Sequence, residues 1–274
     1  MSDSVSLREI TDFAEALAVE AGELIRHERD QNTLRTDYKH QTELVTHADV
    51  MADEFITNAI RERFPDHRIL SEETMPDLSQ AESLDTPLWV IDPIDGTVNY
   101  AYGHPQVAVS IAYAERGQVQ AGVVHAPFPG ETFRATKGEG ATLNGQPIRH
   151  SGATEPRQSL FATGFPYTKD NLEPLVRRLD AMIHQCRDLR RIGSAALDIC
   201  WVACGRLDIY YENVSPWDFA AARLIAWEAG ATVGHFGDVP DDYPADLWGR
   251  DILISAPAVW EPILAILRSA SGYD

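Results

Sequence analysis

The nine residues from Trp89 to Thr97, WVIDPIDGT, constrain this chain more than any other stretch. Their first part is apolar and β-branched, the signature of a buried strand. Two carboxylates, a proline, a glycine and a hydroxyl then follow within six residues. Pro93 fixes its own φ and drives Asp92 toward extended geometry. Gly96 permits a left-handed backbone or the close approach of a ligand. The run predicts a strand ending in a stiff acidic turn, followed by backbone N–H groups free to meet an anion. Such a turn is either local structure, its aspartates bonding nearby backbone, or a seat for a hard divalent cation. Mg²⁺ takes oxygen ligands and keeps one or two carboxylates together with a substrate phosphate.

The rest of the chain supplies 274 residues, 44% of them apolar, enough for a sizeable core in one large domain or two smaller ones. Apolar residues at helical spacing predict an amphipathic helix over Val5–Arg29. The polar stretch Asn32–Thr42, carrying Lys39, reads as a loop or ragged hairpin. A second helix starts near Thr46 and ends at Pro65-Asp66. Arg68-Ile69-Leu70 is a short strand, followed by Ser71-Glu72-Glu73 and an acidic loop over Thr74–Pro87 long enough to act as a flap. From Val107 the pattern alternates through four strands separated by turn signals, an antiparallel meander ending near Leu143. His125 and His150 fall within or just after it and read as structural. A small, polar stretch over Ser151–Gln158 marks a soft boundary, dividing an N-terminal α+β part (1–150) from a C-terminal α/β part (151–274). Beyond it strand and helix alternate to Leu267, which predicts a mixed α/β half.

The net charge is −19, and Lys39, Lys137 and Lys169 are the only lysines. This balance repels nucleic acids and anionic membranes. An anionic substrate would need metal ions or local backbone dipoles to bind. No apolar run is long enough to span a bilayer, and the N-terminus lacks a signal-peptide core, so the expectation is a soluble, cytoplasmic protein. Cys186, Cys200 and Cys204 have no zinc spacing and read as free thiols.

Several further residues carry two readings each. Thr46-x-x-Asp49 has the form of a capping box. Glu72 and Glu73 follow an apolar strand, where carboxylates are costly unless solvated or bound to cations. Gly193-Ser194-Ala195-Ala196 opens a helix and is either an N-cap or an anion or hydroxyl contact. Glu212 ends the strand Ile209-Tyr210-Tyr211, where ligands often bind. Asp218 lies in the first turn of a helix and complements its dipole or serves a site.

Taken in order and spacing, Ser71-Glu72-Glu73, Trp89–Thr97, Trp217-Asp218 and Glu228-Ala229-Gly230 resemble the inositol monophosphatase family of metal-dependent phosphatases. The resemblance runs from about Phe13 to Leu267. It implies a layered αβαβα sandwich, a lithium-sensitive enzyme, commonly a homodimer, and two or three Mg²⁺ ions acting on a small phosphorylated polyol or sugar. Glu72 would ligate metal, Asp92 would bridge two ions, Ile94 would offer its carbonyl, and Asp95 and Asp218 would hold the second ion. Thr97 paired with Asp49 would orient and deprotonate the attacking water. The N–H groups of Gly96 and Thr97 would hold the phosphate, with Asp92 beside it. Gly193, Ser194, Ala195 and Glu212 match positions that contact the sugar hydroxyls, and Lys39 a lysine near the metal. Two departures are Ser71, where Gly is usual, and Ala231 after Glu228-Ala229-Gly230. The implied reaction is hydrolysis of myo-inositol monophosphate. The alternatives are the same chemistry on histidinol phosphate, fructose 1,6-bisphosphate or a 3′,5′-bisphosphate nucleotide, and a regulatory protein that binds transcription machinery.

Overall fold

The computed structural model describes residues 5–31, 36–39, 43–74, 86–166 and 169–273, with backbone alone at 36–39 and 43–45. Helix α1 (Leu7–Asp30) is capped by Ser6, and a short hairpin of β1 (Thr36–Lys39) and β2 (Glu43–Thr46) leads into α2 (His47–Arg63). Next come β3 (Arg68–Ser71), β4 (Leu88–Asp95) and the short helix α3 (Thr97–Ala101). The meander is β5 (Ala108–Glu115), β6 (Gln118–Ala126), β7 (Glu131–Thr136), β8 (Ala141–Leu143) and β9 (Gln146–Pro147). The second half holds β10 (Leu160–Ala162), α4 (Glu173–Gln185), β11 (Asp188–Arg190), α5 (Ala195–Ala203) and β12 (Ile209–Glu212). It closes with α6 (Pro216–Glu228), β13 (Thr232–His235), β14 (Ile252–Ser255) and α7 (Trp260–Ser271). A 3₁₀ turn over Pro257–Val259 precedes the last helix.

Strands β3 to β9 form one sheet in chain order, and the second sheet runs β11-β10-β12-β14-β13. Both mix parallel and antiparallel pairs. The period-2 alternation of side chains then dictates the layers. On β4, Trp89 and Ile91 join Ile10, Ile25, Ile56 and Ile60 of α1 and α2, while Leu88 and Val90 face the other way. That second face meets α5 and α6, through residues such as Leu197, Ile199 and Phe219. Tyr210 of β12 and Ile254 of β14 close on the same two helices from the far side. The remaining face of that sheet, with Ile209 and Leu253, packs on Met182 of α4 and Ile263 of α7. The order is helices, sheet, helices, sheet, helices, and the expected αβαβα sandwich is the fold observed. Helices α5 and α6 are apolar nearly all round because they lie between two sheets. Among the described residues no helix is long and apolar enough to cross a membrane, and the three cysteines are free thiols.

Strand β4 does not end before its acidic residues, as the sequence pattern suggests; it continues through Asp95. Its pairing with β5 shifts register between Asp92 and Asp95. Pro93 has no N–H to donate to a ladder, so the irregularity falls where the proline sits.

Candidate active site

Strand register brings the first carboxylates together. Strand β3 runs parallel to β4, with Ser71 opposite Ile91. The next residue on each strand is Glu72 and Asp92, and the Glu72 N–H still donates to the Ile91 carbonyl at 3.2 Å. The two carboxyls meet by hydrogen bonding. On the other side Asp92 pairs with Ser110 of β5, whose hydroxyl donates to the Trp217 carbonyl at 3.2 Å. That contact anchors the first turn of α6 and brings in Asp218. One carboxylate oxygen from each of Asp92, Asp95 and Asp218 lies within 4.8 Å of the others. Burial, reinforced by Glu72, Asp95 and Asp218, pushes the Asp92 carboxyl well above its ordinary range. Asp92 Oδ1 also accepts the Ile94 N–H at 3.0 Å. Buried acids this close repel one another unless protonated or bound to a cation. The donor set is all hard oxygen, which suits a divalent cation such as Mg²⁺ or Mn²⁺.

Asp95 is held from the second half of the chain. Its oxygens accept the Ser194 hydroxyl at 2.5 Å and the N–H groups of Ala195 and Ala196 at 3.2 and 2.7 Å. A carboxylate at a helix N-terminus meets unpaired N–H groups and the positive end of the dipole. Burial nevertheless raises the Asp95 carboxyl to about 6, against those hydrogen bonds. Ser194 also accepts the Leu197 N–H at 3.3 Å as the N-cap of α5. Ser194 and Ala195 therefore contact Asp95 directly. Gly193 lies beside Asn99, whose amide donates to the carbonyls of Gln106 and Ile192 at 2.8 and 2.9 Å.

Gly96 joins these pieces as the N-cap of α3, with φ at 97°. A Cβ there would stand 2.9 Å from the Gln106 carbonyl oxygen and 3.1 Å from that of Gly193. One residue on, the Thr97 hydroxyl lies 3.2 Å from both Asp49 Oδ1 and the Ile94 carbonyl. The opposite oxygen of Asp49 accepts the Thr46 N–H at 2.8 Å and the Thr46 hydroxyl. Asp49 thus closes its capping box with one oxygen and faces Thr97 with the other. It is 1% exposed, and burial raises its carboxyl to about 6, against the bonds from Thr46 and Thr97.

Glu212 ends β12 against Gly164, where a Cβ would fall 1.9 Å from Oε1. It accepts the Tyr210 hydroxyl at 2.8 Å. Burial raises it to about 7, opposed by Tyr210 and Arg191. The Lys39 side chain and residues 75–85 of the predicted Thr74–Pro87 flap lie outside the described residues. Glu228 stands apart from this cluster: it clasps the β7–β8 turn by accepting the N–H groups of Gly138 and Gly140, both at 2.8 Å. His125 is half of a part-buried pair with Thr132 at 2.8 Å, and burial lowers it to about 4.

Sequence reasoning missed three polar residues here. Asn99 bridges two loops that only the fold brings together. Asp53, one helical turn after Asp49, takes the hydroxyl of Ser71. Asp198 is 2% exposed, and its Oδ1 has no hydrogen-bond partner. Burial, then Glu212 and Asp95, raise its carboxyl well above the usual range. A lone acid in the apolar helix AALDICWVA was the available signal for Asp198.

The family model of the inositol monophosphatase family matches residues 6–271. Inositol monophosphatase 1 of Solanum lycopersicum is 39% identical over 240 residues, 85% of this chain and 86% of its own length. The Nus factor SuhB of Escherichia coli (strain K12) is also 39% identical, over 80% of this chain and 82% of its own. The structure of inositol monophosphatase from Anabaena (Nostoc) sp. PCC 7120 superimposes with a TM-score of 0.81 at 34% identity, covering 97% of both chains. The chain belongs to the inositol monophosphatase family and is a phosphatase.

Proposed function

We propose that this phosphatase hydrolyses myo-inositol monophosphate to inositol and phosphate with Mg²⁺ as its cofactor. The observation that carries the reading is the convergence of Asp92 and Asp95 of β4 with Asp218 of α6, the Thr97 hydroxyl lying against Asp49 two residues after Asp95. Glu72, Asp92, Asp95, Asp218 and the carbonyl of Ile94 would hold two or three ions. Four carboxylates balance the charge of two divalent cations before a dianionic substrate arrives. Bound Mg²⁺ supplies positive charge that lowers the pKa of a water, neutralises the phosphate and stabilises the leaving alkoxide.

The chain's own residues supply orientation and a proton acceptor. The Thr97 hydroxyl receives the proton of the attacking water as its own hydrogen passes to Asp49 Oδ1. A base whose carboxyl sits at about 6 is mostly ionised at neutral pH and still close to the working pH, the efficient range for general base catalysis. Thr46 keeps Asp49 from rotating while this happens. The N–H groups of Gly96 and Thr97 hold the phosphate. Glu212 accepts a hydroxyl of the polyol, and Gly193, Ser194 and Ala195 line the same side, with Lys39 near the metal. Support for inositol as that polyol comes from the names of the relatives. Lithium sensitivity, a homodimeric state and a cytoplasmic location complete the reading by family likeness.

A substrate panel tests it. With Mg²⁺ present, inositol monophosphate should be turned over faster than histidinol phosphate, fructose 1,6-bisphosphate or a 3′,5′-bisphosphate nucleotide. Histidinol phosphate far ahead of inositol phosphate would overturn the substrate while leaving the chemistry. A second reading, a regulatory partner of transcription machinery, draws on the relative named a Nus factor. The net charge of −19 weighs against direct RNA contact, so its test is a pull-down with this chain that recovers RNA polymerase or Nus-type proteins.

A further inference from the structure

We propose that Asp53 is a positioning residue, fixing through Ser71 the backbone that carries the Glu72 carboxylate. The inference rests on Glu72 being a metal ligand, as in the reading above. Asp49 and Asp53 are four residues apart on α2 and so share one face. Both are buried, at 1% and 3% exposure. A buried carboxylate is costly unless its oxygens find donors. Asp53 Oδ1 finds the hydroxyl of Ser71, which is fully buried. Ser71 is the last residue of β3. Ahead of it the strand is held to β4 by the ladder, and just after it the Glu72 N–H is held by Ile91.

The Ser71–Asp53 bond therefore pins the strand end from the sheet face covered by α2, at the residue before the ligand. Glu72 needs such a clamp because it points its charge at Asp92, beside Asp95 and Asp218. Without a fixed backbone that repulsion would turn it away. The same bond ties the strand end to the helix that carries Asp49. One face of α2 thereby sets the distance between the proton acceptor and the first acidic segment. Outer-shell partners of this kind typically change metal affinity by about 10- to 100-fold when removed.

Isothermal titration of the metal-free protein with Mn²⁺, no substrate present, measures this directly. Ser71→Ala should raise the Mn²⁺ dissociation constant about 10-fold, while kcat at saturating metal stays within about threefold of wild type. Ser71→Thr, which keeps the hydroxyl, should restore the affinity. If Ser71→Ala does not fold, Ser71→Cys takes its place; its S–H is a weak donor, and the shift should have the same direction. Wild-type affinity in Ser71→Ala, with or without a lower melting temperature, would overturn the proposal and leave the proposed function standing. A wild-type protein that binds no Mn²⁺ would instead overturn the metal site itself, and this inference with it.

Discussion

The N-termini of α1 and α2 are built alike and behave in opposite ways. Each has a hydroxyl residue at the cap and an acid three residues on, in a reciprocal capping box. At α1, Glu9 accepts the Ser6 N–H and hydroxyl, both at 2.8 Å, in open solvent. Those bonds hold its carboxyl below the ordinary value. At α2, Asp49 accepts the equivalent bonds from Thr46, yet burial outweighs them and raises it to about 6. What separates the two is where the helix end is buried and what third group arrives. Glu9 has no such neighbour among its described hydrogen bonds, whereas Asp49 meets the hydroxyl of Thr97, 48 residues away. A third box, Ser215 with Asp218 on α6, has the Ser215 N–H at 2.7 Å and sets its acid beside the carboxylates of Asp92 and Asp95. A capping box is thus neutral about function, and its surroundings decide.

The largest effect should come from the third box. Asp218→Asn removes one of three converging acids, and steady-state assays with Mg²⁺ should find hydrolysis abolished while circular dichroism reports an intact fold. The asparagine amide oxygen can still accept the Ser215 N–H, so retained activity would mean that Asp218 only closes the capping box. Next, Asp49→Asn should lower kcat by about 10²- to 10⁴-fold, the usual worth of a general base. A loss confined to KM would break the contrast with Glu9.

The pH dependence of stability should also separate the two helix ends. The Asp49 carboxyl is raised, so in the metal-free protein its contribution to stability is full below about 3.8 and lost as pH rises through about 6. The Glu9 carboxyl is lowered, so its contribution is present above about 4.5 and lost as pH falls. Thermal melts in chelator should decline less steeply between about pH 5 and 7 in Asp49→Asn, whereas Glu9→Gln should act only below about pH 5. The smallest effect belongs to Ser6→Ala. It should cost about 2–4 °C of melting temperature, as loss of one cap does in a chain of this size, with kcat unaltered.

The helices and strands were legible because each writes its own period into the chain, while their stacking into layers was implied only by the family resemblance. The acidic run of β4 was legible because Pro93 and Gly96 have few uses beside two carboxylates. What was hidden depends on partners remote in sequence. Asp53 reads as one more polar residue on a helix until Ser71 is found against it. Ser71 itself reads as a small departure in a loop, whereas its hydroxyl has a buried acceptor. Asn99 gives no local signal at all, because Gln106 and Ile192 meet it only in the folded chain. The role of Glu228 was open for the same reason: Gly138 and Gly140 lie about ninety residues earlier.

Gly96 has one more consequence. The carbonyl oxygens of Gln106 and Gly193 close on its α-carbon from the two halves of the chain, so a single methyl would wedge them apart and loosen Ser194 from Asp95. A saturation library at codon 96 should return glycine alone among its active survivors, even though the residue offers no side chain to any reaction.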